Sequence, residues 1–297
     1  MKNIWFVIPA YNEDEVIEDT AKKLLEKVNN LINDNKLSSE SRILFVDDGS
    51  IDNSWDIIEN LHNQNEIFKG LKLAKNVGQQ NALFAGYQYA NGKCDAVISL
   101  DVDLQDDISI LDEAIEKYEV EGFELVLITH NDRKTDTFLK SFTANAFYNF
   151  MDFLGAQVVK NHSEYRLMDK VILERLLQNK DSSLFLRGFV PKLTNKGCIL
   201  EAERKERLFG EPKYNFFSSM NLALNGITLL SIKPIRIIML IGLLVTFASL
   251  FADTMELFSI WFLGGLQILF IGLIGEYVAK MSVYSESKPK YFIEKEV

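Results

Sequence analysis

Ala96-Val97-Ile98-Ser99-Leu100-Asp101-Val102-Asp103-Leu104-Gln105-Asp106 is the stretch on which the reading of this chain turns. Residues 96–100 carry no charge and have the length and composition of a buried strand. The run stops at two carboxylates one residue apart, with an amide, Gln105, close behind. On an extended segment i and i+2 share a side, so Asp101 and Asp103 are expected to converge around Val102. Two hard oxygen anions at a strand end suit Mg²⁺ or Mn²⁺, which keep positions open for phosphate oxygens. Alone, the same letters also describe a solvated acidic turn, so the surrounding chain has to decide.

Upstream, residues 3–8 form an apolar run that ends at Pro9-Ala10-Tyr11-Asn12-Glu13. A helical pattern follows, with Val16, Ile17, Leu24, Leu25 and Val28 on one face. A second strand, residues 42–46, ends at Asp47-Asp48-Gly49-Ser50. Ser50 or Asp52 then stands ready to cap a helix through Trp55, Ile57 and Ile58. A third strand, residues 70–73, ends at Lys75-Asn76-Val77-Gly78, before a helix over residues 79–90. Downstream, a helix carrying Ile110, Leu111, Ile115 and Tyr118 leads to a fifth strand, residues 125–128, which stops before His130.

Strands alternating with helices at this spacing predict right-handed βαβ units and a mostly parallel sheet. The polar clusters then all fall at carboxyl ends of strands, the edge where open α/β sheets bind ligands. Acids on unrelated loops would scatter over both edges. The placement therefore favours a metal and nucleotide site over an acidic turn. Neither G-x-G-x-x-G nor G-x-x-x-x-G-K-[ST] is present, which argues against a dinucleotide oxidoreductase or a P-loop kinase. Phosphate neutralisation is left to a metal and to cationic side chains.

The 297 residues carry a net charge of −10, which argues against a nucleic-acid partner, since that needs a basic face. The two cysteines, Cys94 and Cys198, have neither zinc-site nor framework spacing and fit a reducing compartment. No charged segment followed by an apolar one opens the chain, so no cleaved leader is expected and the catalytic part should face the cytoplasm. Between residues 137 and 154, Phe138, Leu139, Phe142, Phe147, Phe150 and Phe153 crowd one short pattern. They suit either a core helix or an amphipathic helix lying on lipid. Arg166, Arg187, Arg204, Arg207 and Lys213 follow without regular period. Scattered arginine is usually a solvated face, and it also makes a phosphate lining.

Two uncharged apolar runs follow, residues 237–252 and 257–275, long enough for roughly 24 Å and 28 Å of helix. Against a hydrocarbon core of about 30 Å, the second spans and the first is marginal. Lys233 and Arg236 precede the pair, Lys280, Lys288 and Lys290 follow it, and an acidic turn, residues 253–256, separates the runs. The positive-inside rule then puts both ends in the cytoplasm and predicts a multi-pass protein of the cell (inner) membrane.

With Ile8-Pro9-Ala10-Tyr11-Asn12-Glu13, Val46-Asp47-Asp48-Gly49-Ser50, Asn76-Val77-Gly78 and Asp101-Val102-Asp103-Leu104-Gln105-Asp106 in this order, the sequence resembles the family 2 inverting glycosyltransferases of GT-A fold. Arg207-Leu208-Phe209-Gly210-Glu211-Pro212-Lys213-Tyr214 and the C-terminal apolar pair are similar to the polyprenyl-phosphate branch, which includes bactoprenol glucosyltransferases and dolichol-phosphate mannose synthase. The resemblance implies an α/β GT-A domain, Rossmann-like with a mostly parallel sheet, bearing amphipathic interfacial helices and a C-terminal two-helix transmembrane hairpin. Residues 1–135 would be the nucleotide-sugar and metal-binding half, 136–232 the acceptor-side half, and 233–297 the hairpin and tail.

Residue by residue, the resemblance implies that Pro9, Ala10, Tyr11, Glu13, Val46 and Asp48 hold the base and ribose, with Asn76 and Gln79 nearby. Val102 would lie in the same nucleotide set. Asp101 and Asp103, helped by Gln105, would hold the Mg²⁺ or Mn²⁺. Arg133, Arg207 and Lys213 would meet the donor diphosphate and the lipid phosphate, while Arg166 and Arg187 fall in segments similar to acceptor-side motifs. The implied partners are a nucleotide sugar, a polyprenyl phosphate, the bilayer and further copies of the chain, up to a tetramer. The implied reaction is sugar transfer with inversion, with glucose from UDP-glucose ahead of mannose from GDP-mannose. A catalytically silent nucleotide-binding scaffold at the membrane is the reading from another class. The chain departs from the family pattern at His130, Asp107, Glu164 and Pro212, where Arg, Pro, Asp and Ser or Thr are usual.

Overall fold

The computed structural model describes residues 1–104, 107–130, 162–178, 186–202 and 289–297, with scattered positions between 263 and 281. Its sheet is built on β1 (Ile4–Ala10), buried at every position. A strand with no polar alternation has both faces covered, as in the middle of a parallel sheet. β2 (Arg42–Asp47), β3 (Phe68–Leu73) and β4 (Ala96–Ser99) flank it, and all three run parallel to it in the order β4-β1-β2-β3. Between them come α1 (Ile17–Asn33), α2 (Ser54–Gln64) and α3 (Gln79–Ala90). After β4 the chain forms α4 (Ile110–Glu119) and β5 (Leu125–His130).

Side chains alternate along β1 and sort into two cores. Ile4, Phe6 and Ile8 pack with α1, α2 and α4 on one face, and Trp5 and Val7 pack with α3 on the other. Gly86 lets α3 approach closely: a Cβ there would lie 2.4 Å from Val7 Cγ1 and 2.8 Å from Val46 Cγ2.

The α/β class and the mostly parallel sheet are those expected, but the order of strands is not the sequential one. β5 is not the neighbour of β4. Between them lies β6 (His162–Asp169), antiparallel to both, pairing Ser99 with Arg166 and Leu127 with Arg166 from its two sides. β7 (Gly197–Ala202) then adds parallel to β5. The local pattern of β5 marks it as a strand but carries no trace of its partner, because that partner lies more than 30 residues away. Near β6, α5 (Lys170–Leu177) is capped by the Asp169 side chain, which accepts from the Val171 N–H. The short helix α6 (Leu186–Phe189) runs on into a 3₁₀ turn, Val190–Leu193.

At the far edge, β8 (Ile293–Glu296) pairs antiparallel with β3, and Val297 and Gly70 exchange backbone hydrogen bonds of 3.0 and 2.9 Å. The last residues of the chain therefore complete the sheet. Among the described residues no helix is long and apolar enough to cross a membrane. The hairpin expected over residues 237–275, and the aromatic stretch 137–154, lie outside the described residues but for a few positions past 262.

Candidate active site

β1, β2, β4 and β5 point the same way, so Tyr11 to Glu13, Asp47 to Ser50, Asp101 to Asp103 and His130 share one edge of the sheet. Backbone-to-side-chain hydrogen bonds stitch the loops together. Ser50 Oγ accepts from Asn12 N at 2.9 Å, and the buried Ser54 Oγ accepts from Glu13 N at 2.9 Å. Asn12 Oδ1 accepts in turn from Ile51 N at 3.0 Å, and Asn12 adopts φ +52° to make the turn. Asp52 accepts from Ser54 N and Asp14 N at 3.0 and 3.2 Å, so it serves the start of α2 and the β1 loop at once. Ser50, the other expected cap, is spent on Asn12. Burial raises the Asp52 pKa, but these hydrogen bonds outweigh it and hold the carboxyl low.

Asp48 is 2% exposed, and its carboxylate accepts from Val77 N at 2.8 Å and Gly78 N at 2.9 Å. Burial pushes its pKa up to about 6 against the pull of those two bonds. Asp48 thus latches the β2 loop onto the loop before α3. Gly49 completes the latch: at φ +68°, a Cβ would stand 2.5 Å from the Lys75 carbonyl carbon. Pro9, Ala10 and Val46, expected beside the nucleotide, are buried and form the floor behind the edge. Asn76 is exposed on the rim.

Asp101 and Asp103, two of the three expected metal ligands, lie in one turn at this edge, and not on an extended strand end. β4 ends at Ser99, and residues 101–104 form a turn closed by Leu104 N to Asp101 O at 3.2 Å. Asp101 and Asp103 are therefore presented by a turn, not by strand alternation. Val102 points inward, and its carbonyl accepts from the Thr20 hydroxyl of α1, which pins the turn from beneath. The Gln79 amide donates to Asp101 Oδ1 at 2.7 Å and orients that carboxylate. Two half-exposed carboxylates supported this way fit a Mg²⁺ or Mn²⁺ that takes its other ligands from substrate phosphates and water. Among the described residues no group of three His, Cys, Asp or Glu side chains could hold a metal ion. Gln105, Arg133, Arg207 and Lys213 lie outside the described residues.

One expected reading is corrected. Arg166 is not on a solvated face; it is 0% exposed, inside the sheet beside Ser99. Its charge is met by Glu164, itself 1% exposed, and strand alternation puts the two on one face. Burial is the main pull against the Arg166 charge, with Arg187 adding to it, while Tyr87 and Asp101 support it. Thr20, Gln80 and Glu164 were not among the candidates. The signals were a polar residue on the apolar stripe of α1, a second amide at the start of α3, and an acid two residues from an arginine on one strand.

Residues 5–177 match glycosyl transferase family 2. An uncharacterized glycosyltransferase of Bacillus subtilis, YkoT, is 42% identical over 97% of this chain and 90% of its own. A prophage bactoprenol glucosyl transferase homolog of Escherichia coli is 34% identical over 98% of each chain. The bactoprenol glucosyl transferase of Shigella phage SfV is 35% identical, over 99% of this chain and 98% of its own. Among solved structures, glucosyl-3-phosphoglycerate synthase from Mycobacterium tuberculosis in complex with UDP aligns with a TM-score of 0.49 at 15% identity, over 77% of this chain and 79% of that one.

Proposed function

We propose the following for this chain, which belongs to glycosyl transferase family 2: it transfers glucose from UDP-glucose to a polyprenyl phosphate at the cytoplasmic face of the cell membrane, with inversion at the sugar. The observation that carries the proposal is similarity along the whole chain, apolar segments included, to proteins named as bactoprenol glucosyl transferases. The site supports it. Loops that could hold a nucleoside, stitched by Asp48, Ser50 and Ser54, adjoin two carboxylates suited to a diphosphate-bound divalent ion.

The metal, when bound, supplies positive charge to the departing diphosphate. Asp101 and Asp103 would hold it, and Gln79 and Thr20 keep the turn in place. The attacking oxygen belongs to a phosphate monoester whose second pKa is about 6, so it is ionised at neutral pH and needs no strong base. In-line attack from the face opposite the diphosphate inverts the anomeric centre. Arg133, Arg207 and Lys213 are assigned to the phosphates of donor and acceptor by family resemblance.

β8 supports the membrane topology. The chain is back on the catalytic sheet by residue 293, after both apolar runs. A membrane segment between residues 202 and 289 therefore starts and ends on the side where the domain lies. Two spans satisfy that parity, and one does not.

The test is incubation of the full-length protein in lipid nanodiscs with Mn²⁺, undecaprenyl phosphate and labelled UDP-glucose or GDP-mannose, followed by thin-layer chromatography. A glucolipid from UDP-glucose is the expected product. A mannolipid alone would reassign the donor, and no glycolipid from either would overturn the proposal.

A further inference from the structure

Behind the metal turn lies a polar network that the reaction scheme above leaves without work. Glu164 Oε1 accepts from the Gln80 amide at 2.7 Å and from Arg187 Nε at 2.7 Å, while Oε2 meets Arg166. Gln80 Oε1 accepts from Leu186 N at 3.0 Å, which fixes the start of α6 and with it Arg187. Ser99 Oγ donates to the Glu164 carbonyl at 2.5 Å, and continuing the β4–β6 register by two residues brings Glu164 alongside Asp101. Gln79 and Gln80, adjacent at the start of α3, thus hold the metal turn with one amide and this cluster with the next.

Within the contacting trio the charges do not cancel: one carboxylate, Glu164, faces two guanidinium groups, while the nearby Asp101, which supports the Arg166 charge, belongs to the turn read as the metal site. Arg166 is fully buried, while the Arg187 side chain is 38% exposed. The surplus is therefore presented at Arg187. Its Nε is taken by Glu164, and among the described residues nothing claims the two terminal nitrogens of the fork, which suit a planar or tetrahedral oxyanion. A cation intended only to neutralise Glu164 would be redundant, because Arg166 already does so at zero exposure.

We propose that Arg187 binds a phosphate oxygen of a substrate and that Glu164 is the positioning residue that aims it. The inference rests on the glycosyl-transfer reading for the identity of the phosphate. That phosphate is either the monoester of the polyprenyl acceptor or the diphosphate of the donor. Both present the same oxyanion, and the two arms of the experiment separate them.

The experiment compares the full-length wild type with Arg187→Gln, Arg187→Lys and Glu164→Asp, which keeps the counter-charge of Arg166. Steady-state kinetics are taken with undecaprenyl phosphate varied at fixed UDP-glucose, and then the reverse. Arg187→Gln is expected to lower kcat/KM for one of the two substrates by about 10–100-fold, the loss of a charged hydrogen bond, with the melting temperature unchanged. Arg187→Lys is expected to recover part of the loss. Glu164→Asp should lower kcat/KM for that same substrate and add nothing on the Arg187→Gln background. Loss confined to undecaprenyl phosphate assigns the acceptor, and loss confined to UDP-glucose assigns the donor. Arg187→Gln within twofold of wild type for both substrates overturns the proposal. So does a loss that follows the melting temperature and that lysine does not relieve. If the wild type makes no glycolipid, the glycosyl-transfer reading fails by itself. Binding of undecaprenyl phosphate and of UDP to wild type and Arg187→Gln, by calorimetry, then decides: weaker binding of either to the variant supports the inference, and equal or undetectable binding of both overturns it.

Discussion

Replacing Asp48 with asparagine converts a buried titrating latch into one that does not titrate. In the folded chain the carboxyl has a pKa of about 6 against an ordinary 3.8, because burial disfavours its charge more than the Val77 and Gly78 N–H groups favour it. Each pH unit of separation is worth about 1.4 kcal/mol, so the gap amounts to roughly 3 kcal/mol. Below pH 3.8 the group is protonated in both states and contributes nothing. As pH rises from there, the unfolded chain gives up its proton while the folded chain keeps it, and stability falls. Above about pH 6 both states are ionised and the full cost stands. Asp48→Asn escapes that cost. It carries a constant offset of its own, about 1–3 kcal/mol, because the amide nitrogen cannot accept from one of the two N–H groups. The stability of the variant minus that of wild type should therefore rise by roughly 3 kcal/mol between about pH 4 and pH 7. At about 2 °C per kcal/mol for a chain of this size, the gap in melting temperature moves by about 6 °C. Paired thermal unfolding in one detergent across that range reads it. Parallel curves, with a gap constant to about 1 °C, would show that the latch does not carry a buried charge.

Asp103→Ala should lower glycolipid formation by about 10²-fold or more while the protein stays folded and membrane-bound; chelation of divalent ions should do the same to wild type, and loss in neither would remove the metal from the site. Gly49→Ala forces a Cβ to within 2.5 Å of the Lys75 backbone at φ +68° and should cost about 2–4 kcal/mol, read as a lower urea midpoint. Removing residues 291–297 strips β8 from β3 and exposes a bare strand edge, so the truncated protein should melt lower and aggregate, as seen by light scattering.

Much of the edge that bears the site was legible in the chain, because each strand announces its end locally. The apolar runs before Pro9, Asp47, Lys75 and Asp101 stop where the polar residues start, and parallel strands bring those stops together. The 79–90 helix has the bounds expected of it. What failed to show was partnership. Strand alternation suggested how Asp101 and Asp103 converge, but a turn presents them, since Val102 is drawn inward to meet Thr20 from α1, 82 residues away. Asp48 reads as one more polar residue for a ligand, and only its neighbours make it a latch.

By itself, then, the sequence determined the first five strands, which edge carries their polar residues, and that the chain belongs among the family 2 glycosyltransferases; β6, β7 and β8 left no such mark. These follow from local apolar runs and from motifs in a set order. Only the tertiary structure decided that β6 is wedged between β4 and β5, that β8 closes the sheet, and that Arg166 is an interior charge while Arg187 is an exposed one. The two arginines look alike along the chain. Burial and the sharing of one carboxylate depend on which distant segments pack together, and no local pattern encodes that.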